Sequence, residues 1–146
     1  MIFVRQGNLF DSRAQTLVNA VNCVGIMGKG IAAAFKKKFP AMFADYAARC
    51  KRGELKLGEP YLFRDPSGIC ILNFPTKGHW RSSSRLIDIE TGLAHVVANY
   101  QALGITSIAF PALGCGAGGL EWADVQALME AILRDLEIPV EIYAPA

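Results

Sequence analysis

The stretch Ala112-Leu113-Gly114-Cys115-Gly116-Ala117-Gly118-Gly119-Leu120 follows an apolar run, Ser107-Ile108-Ala109-Phe110-Pro111, and precedes a helical pattern that begins near Glu121-Trp122. Four of the six residues from 114 to 119 are glycine. Glycine lacks the side chain that would keep a ligand away from the backbone. Consecutive exposed N–H groups beside a helix start form a nest for an anion, most often a phosphate. Taken alone, the same run also reads as an ordinary glycine-rich turn.

A second run of the same kind lies upstream. Val18-Asn19-Ala20-Val21-Asn22 reads as the end of a buried strand, Cys23-Val24-Gly25-Ile26-Met27-Gly28-Lys29-Gly30 as a loop, and Ile31-Ala32-Ala33-Ala34-Phe35 as a helix. Two strand–loop–helix units can bring two sets of amides to one diphosphate, beyond the carboxyl ends of an open α/β sheet. Neither loop contains Gly-Lys-Ser/Thr, which argues against a Walker-type nucleotidase, and the upstream loop, Cys23–Gly30, lacks G-x-G-x-x-G.

Elsewhere along the chain, Met1–Arg5 has strand character and Gly7–Ser12 is a turn. Leu17–Val21 is a strand, Lys29–Phe39 a helix, and Pro40 opens a second helix that runs to about Arg52. Tyr61–Arg64 and Ile69–Phe74 read as a hairpin around Asp65-Pro66-Ser67-Gly68. Ser84–Leu103 is amphipathic with a stop at Gly104, and Ser107–Phe110 is a strand. Val125, Leu128, Met129, Ile132 and Leu136 line one face of the last helix, and Val140–Tyr143 closes as a strand. This near-alternation predicts an α/β fold with a central mixed sheet covered by helices on both faces.

A length of 146 residues with 52% apolar residues suits one domain with a real core. No apolar run reaches membrane-spanning length and no secretory leader is evident, so a soluble, cytoplasmic protein is expected. Cys23, Cys50, Cys70 and Cys115 form no C-x-x-C pair and read as reduced thiols. With only His79 and His95, a zinc site has little support, and no cofactor is expected. A net charge of +2 is too small to imply nucleic-acid binding by bulk electrostatics. Basic residues cluster at Lys36–Lys38, Arg49–Lys56 and Lys77–Arg85. The first reads as a solvated face; the last, with His79, Trp80 and three serines, could hold a phosphate backbone beside a stacked base.

Together these segments resemble the macrodomains, the ADP-ribose-binding modules. The likeness rests on Gly7-Asn8-Leu9-Phe10, Leu17–Asn22, Met27–Ala32, Phe35–Phe39, Gly114-Cys115-Gly116 and Ile142-Tyr143, and it covers essentially the whole chain. Within the family the chain is similar to the branch of terminal ADP-ribose glycohydrolases. The segment Phe74-Pro75-Thr76-Lys77-Gly78-His79-Trp80 points to antitoxins that remove ADP-ribose from thymidine in DNA. The fold so implied is a three-layer α/β/α domain over residues 1–146, with a mixed six-stranded sheet and the cleft along one sheet edge. Those antitoxins carry a further C-terminal region, so this chain would be the N-terminal domain of such a protein or a stand-alone relative.

The resemblance implies ADP-ribose contacts at Asn8, Leu9, Asn19, Asn22, Met27, Gly28, Lys29, Gly30, Ile31, Pro111, Gly114, Cys115, Gly116, Ala117, Gly118 and Tyr143. The diphosphate would lie between Gly28-Lys29-Gly30 and Cys115–Gly118, with Asn22 at the distal ribose. Tyr143 would pack on adenine or, read more simply, serve as a core residue. Asn8 stands where the family usually has its adenine-binding acid. Lys77 matches the lysine that the glycohydrolase branch uses at the anomeric carbon; a neutral lysine amine is a competent nucleophile and can form a Schiff base. Human-type enzymes of the branch add an acid in the second loop, at the place of Gly118 here, so either Lys77 works largely alone or Asp11 or Glu121 assists. Cys115 has no histidine placed by sequence to activate it as a nucleophile.

His79, Trp80, Arg81 and Arg85 are the candidates for nucleic acid, with Trp80 stacking on a base or merely capping the cleft. The implied partners are ADP-ribose, ADP-ribosylated single-stranded DNA as substrate, and a toxin of the DarT type. Two other readings stay open: hydrolysis of O-acyl-ADP-ribose or of ADP-ribosylated protein carboxylates, and non-catalytic ADP-ribose binding.

Overall fold

Strand residues alternate between two faces, and both faces are apolar here. Leu17, Val21, Ile71, Ala109 and Tyr143 belong to one core cluster; Val18, Leu72, Phe74, Ile108, Phe110, Val140 and Ile142 belong to the other. A sheet buried on both sides needs helices on both sides. A computed structural model describes residues 1–146 and has that arrangement. The strands are β1 (Ile2–Arg5), β2 (Thr16–Val21), β3 (Tyr61–Arg64), β4 (Cys70–Pro75), β5 (Ile108–Phe110) and β6 (Val140–Tyr143). The helices are α1 (Gly30–Lys38), α2 (Pro40–Lys51), α3 (Leu86–Asn99) and α4 (Trp122–Leu133). Short 3-10 turns occupy Leu9–Asp11 and Gly116–Gly118. No helix is long and apolar enough to cross a membrane.

The strand order is β1-β6-β5-β2-β4-β3. All neighbours are parallel except β3 and β4, which pair antiparallel from Tyr61↔Asn73 to Arg64↔Cys70. Phe35 of α1 with Met42 and Tyr46 of α2 covers one face; Ile89, Leu93 and Val96 of α3 with Val125, Met129 and Leu133 of α4 cover the other. Burying each large side chain contributes about 1.5–3 kcal/mol. Helix and sheet meet most closely at Gly92, where an added Cβ would lie 2.4 Å from Phe74 Cζ.

Most element ends differ from the sequence reading by one to a few residues, and α4 stops at Leu133, which leaves Leu136 beyond the helix though still in the core; three differences have a visible cause. The hairpin's second strand starts at Cys70, because the Ile69 carbonyl instead accepts the Asp65 N–H across the turn. Helix α3 starts at Leu86, since Ser84 donates its N–H to the Gly118 carbonyl at 2.9 Å and Arg85 is extended. It ends at Asn99, where Tyr100 takes its place in a turn that accepts the Ile105 N–H.

Candidate active site

A cleft of about 1110 Å³ opens across the carboxyl ends of β2, β4, β5 and β6. The sheet edge concerned is therefore the row of strand ends, where loops leave the sheet, and not an outer strand. Both glycine-rich loops line it, through Gly28, Lys29, Gly30 and Ile31 on one side and Pro111, Gly114, Cys115, Gly116, Ala117 and Gly118 on the other.

The first loop is organised by Asn22. Its Oδ1 accepts the Val24 N–H at 3.0 Å and its Nδ2 donates to the Ile26 carbonyl at 2.8 Å. The buried Tyr46 hydroxyl lies 2.8 Å from both Oδ1 and the main-chain oxygen of Asn22. Asn22 lines the cleft, yet most of its hydrogen-bonding capacity shapes the loop. Lys29 is the extended N-cap residue of α1 and makes no side-chain cap bond, so the first amides of that helix are left open at the cleft. Burial, with Cys50 adding to it, pushes the neighbouring Cys23 thiol up to about 11.

The second loop turns on Gly114, Gly116 and Gly119, all at positive φ. The Cys115 N–H donates to the Ala112 carbonyl and the Gly119 N–H to the Gly116 carbonyl. The Cys115 amide is thus spent inside the turn, a correction to its expected place at the diphosphate; Gly116–Gly118 remain at the cleft. Burial raises the Cys115 pKa and Glu121 adds to the effect, which keeps the sulfur a thiol and not a nucleophilic thiolate. Gly118 is not at positive φ; a Cβ there would meet Ser84 Oγ at 2.5 Å. That hydroxyl is buried and has no hydrogen-bond partner.

Lys77 is half-buried, lines the cleft, and donates from Nζ to the Trp80 carbonyl at 3.0 Å. It stands just beyond β4, whose pairing with β2 is prolonged by Thr76 N–H to the Val21 carbonyl at 2.9 Å and Cys23 N–H to the Gly78 carbonyl at 3.1 Å. Trp80 and Arg81 also line the cleft, with the Arg81 guanidinium 4.5 Å from the Trp80 ring centroid. Lys29, Lys77 and Arg81 are the charged side chains of the lining, and no acidic side chain joins them.

Several expected contacts fall elsewhere. Asn8 does not line the cleft; its side chain caps the 9–11 turn by accepting the Phe10 N–H, while Leu9 does line it. Asn19 is wholly buried, donating to Asn73 Oδ1 at 3.1 Å, and Met27 is packed beside it in the core. His79 lies behind Trp80: its ring stacks on the indole at 5.3 Å and its Nδ1 accepts the Arg81 N–H. Arg85 points away and pairs with Asp88. Asp11 and Glu121, the candidate assisting acids, are both outside the lining. Tyr143 lines the cleft and is largely buried. The sequence reading passed over Ile26, Thr76, Ala112 and the segment Ala144–Ala146, all of which line it. The last segment directly follows β6, and its position after a strand was the available signal. No cluster of His, Cys, Asp or Glu comes together that could hold a metal ion.

The Macro domain family model matches residues 18–129, three-quarters of the chain and both glycine-rich loops. The chain is a macrodomain. A DNA ADP-ribosyl glycohydrolase of Mycobacterium tuberculosis is 43% identical over 100% of this macrodomain and 43% of its own length. The solved macrodomain of Mycobacterium tuberculosis DarG superimposes with a TM-score of 0.97 at 41% identity, covering 100% of this chain and 99% of that one. A Thermosipho africanus DNA ADP-ribosyl transferase–DNA ADP-ribosyl glycohydrolase fusion protein is 44% identical over 96% of this chain and 41% of its own. A solved Thermosipho africanus DarTG in complex with ADP-ribose superimposes with a TM-score of 0.92 at 45% identity, covering 97% of this chain and 41% of that one. This macrodomain thus spans about two-fifths of the full-length relatives it matches.

Proposed function

We propose that this macrodomain is a DNA ADP-ribosyl glycohydrolase that releases ADP-ribose from thymidine in DNA. The observation that carries the reading is the place of Lys77, whose side chain stands in the same cleft as two loops built to present backbone amides. A lining with three cationic side chains and no acidic one also suits a polyanionic substrate.

The residues divide the work along the cleft. Amides of Gly28–Gly30 and Gly116–Gly118 hold the diphosphate, Tyr143 and Leu9 border the adenine, and Asn22 borders the distal ribose. The Lys77 amine adds through its nitrogen lone pair to the anomeric carbon as the glycosyl bond breaks; the base leaves with the bonding pair, and the proton that the nitrogen then loses passes through solvent to the base. The sugar opens to a Schiff base on Lys77, water adds to that carbon, and ADP-ribose departs with the amine restored. The scheme of paired carboxylates has no counterpart in this cleft. A thymine anion is stabilised by its carbonyls, which lessens the need for an acid. Trp80 and Arg81 face the nucleotide beyond the ribose, with His79 buttressing the indole. The same reading makes this chain the counterpart of a DNA-modifying toxin of the DarT type, acting in the cytoplasm, where four unpaired cysteines persist.

One observation favours non-catalytic binding: the Lys77 amine is engaged by the Trp80 carbonyl. A single assay separates the readings. The protein is incubated with an oligonucleotide carrying ADP-ribosylated thymidine, an ADP-ribosylated glutamate peptide and O-acetyl-ADP-ribose. The glycohydrolase reading expects release from the oligonucleotide. Release from the other two alone makes the protein an acyl hydrolase, and binding without release from any makes it a reader.

A further inference from the structure

On the glycohydrolase reading, the group on the anomeric carbon of bound ADP-ribose lies beside Lys77. The cleft that holds Lys77 also presents large apolar side chains. Ile26, 45% exposed, and Trp80, 39% exposed, are large hydrophobic side chains at its mouth. They come from loops that leave adjacent strands, β2 and β4, and that are tied together by the Cys23 N–H to Gly78 carbonyl bond of 3.1 Å. Ile26 Cγ2 lies 3.6 Å from where a Cβ on Gly28 would stand, so its side chain leans over the first amide loop. Trp80 carries the carbonyl that holds the Lys77 amine. Ile26 and Trp80 are thus two exposed hydrophobic groups, on tied loops, in the same cleft as the amine, and that cleft has no acidic side chain.

Two exposed apolar side chains in a ligand cleft offer area to a ligand group with an apolar face. A carboxylate or a small acyl group has no flat face with which to cover an indole. A nucleobase has two flat apolar faces and a polar edge. It would take the place over the indole that the Arg81 guanidinium holds, 4.5 Å from the centroid, rest on Ile26, and turn its carbonyl edge toward the displaced guanidinium. We propose that Ile26 and Trp80 form a slot for the leaving base, and that this slot selects nucleobase-linked ADP-ribose over carboxylate- or acyl-linked ADP-ribose. The inference rests on the glycohydrolase reading and names the feature that decides its substrate class.

The test compares kcat/KM on an oligonucleotide carrying ADP-ribosylated thymidine with the Kd for free ADP-ribose, which has no leaving group. Both are measured for the wild type, Ile26→Ser, Trp80→Ala and Trp80→Phe. The bond from Lys77 runs to a backbone carbonyl, so these substitutions leave the amine's partner in place. Ile26→Ser and Trp80→Ala are each expected to lower kcat/KM about tenfold more than they weaken ADP-ribose, equivalent to one factor of ten in an equilibrium constant. Trp80→Phe, which keeps a flat ring, is expected to recover most of that loss. Equal losses in both measurements, or no loss on the oligonucleotide, overturn the slot. A wild type that binds ADP-ribose but releases nothing from the oligonucleotide overturns the glycohydrolase reading itself, and the slot with it.

Discussion

A methyl group on residue 118 would stand 2.5 Å from Ser84 Oγ and 3.0 Å from Ser84 Cβ. The backbone at Gly118 is not in the left-handed region, so this neighbour, and not the local conformation, demands glycine there. Gly118→Ala should therefore push the second loop off its seat, with overpacking costs of about 1–3 kcal/mol, and should weaken ADP-ribose in calorimetric titration. Adding Ser84→Gly should restore much of the affinity; if the double variant binds no better than Gly118→Ala alone, steric exclusion by Ser84 is the wrong cause. Ser84 also illustrates what residue types cannot disclose. Trp80, Arg81 and the glycines were legible as cleft residues because their neighbours in sequence announce a loop beyond a strand; Lys77 was singled out by the family resemblance, since a lysine there otherwise reads as a solvated side chain. Asn8, Asn19, Met27, His79 and Arg85 carry the right chemistry, but their side chains are turned toward a turn amide, the core, the back of an indole, or Asp88. Side-chain direction is set by tertiary packing, which a lone sequence does not contain.

The elements themselves were largely legible, because period-two and helical apolar spacing survive in a domain with both sheet faces buried. Their ends were less so: where α3 begins depends on a bond from Ser84 to Gly118, distant in sequence. The seam between α3 and β4 supplies a test of the packing. Gly92 is a glycine inside a helix, a position that ordinarily costs about 1 kcal/mol relative to alanine. Here a Cβ would lie 2.4 Å and 2.7 Å from the ring atoms Cζ and Cε1 of the fully buried Phe74. Gly92→Ala is thus expected to destabilise the protein by about 1–3 kcal/mol despite the better helix former, read as a lower urea midpoint. A raised midpoint would mean that helix and sheet are less closely packed than described.

At the scale of the whole molecule, the half-buried thiol of Cys23 links stability to pH. Its pKa is raised from 9.0 to about 11 by burial, with Cys50 next. Above pH 9 the unfolded chain releases a proton that the folded protein retains, so the unfolded state gains as pH rises. The stabilising effect of the protonated thiol is complete below pH 9 and is lost as pH climbs through about 11. Melting temperatures measured across that window should fall more steeply for the wild type than for Cys23→Ser; parallel curves would contradict the half-buried placement of the thiol. Within the same molecule, the two glycine-rich loops, the strand ends and Lys77 converge on one cleft, and the central claim is a division of labour inside it. Loop amides bind ADP-ribose, and the Lys77 amine breaks the bond beyond it. The most direct measurement pairs release from an ADP-ribosylated thymidine oligonucleotide with the Kd for ADP-ribose in Lys77→Ala. Loss of release with affinity retained within a few-fold (under about 1 kcal/mol) is the outcome expected. Release that survives the substitution, or affinity that disappears along with it, would contradict the account.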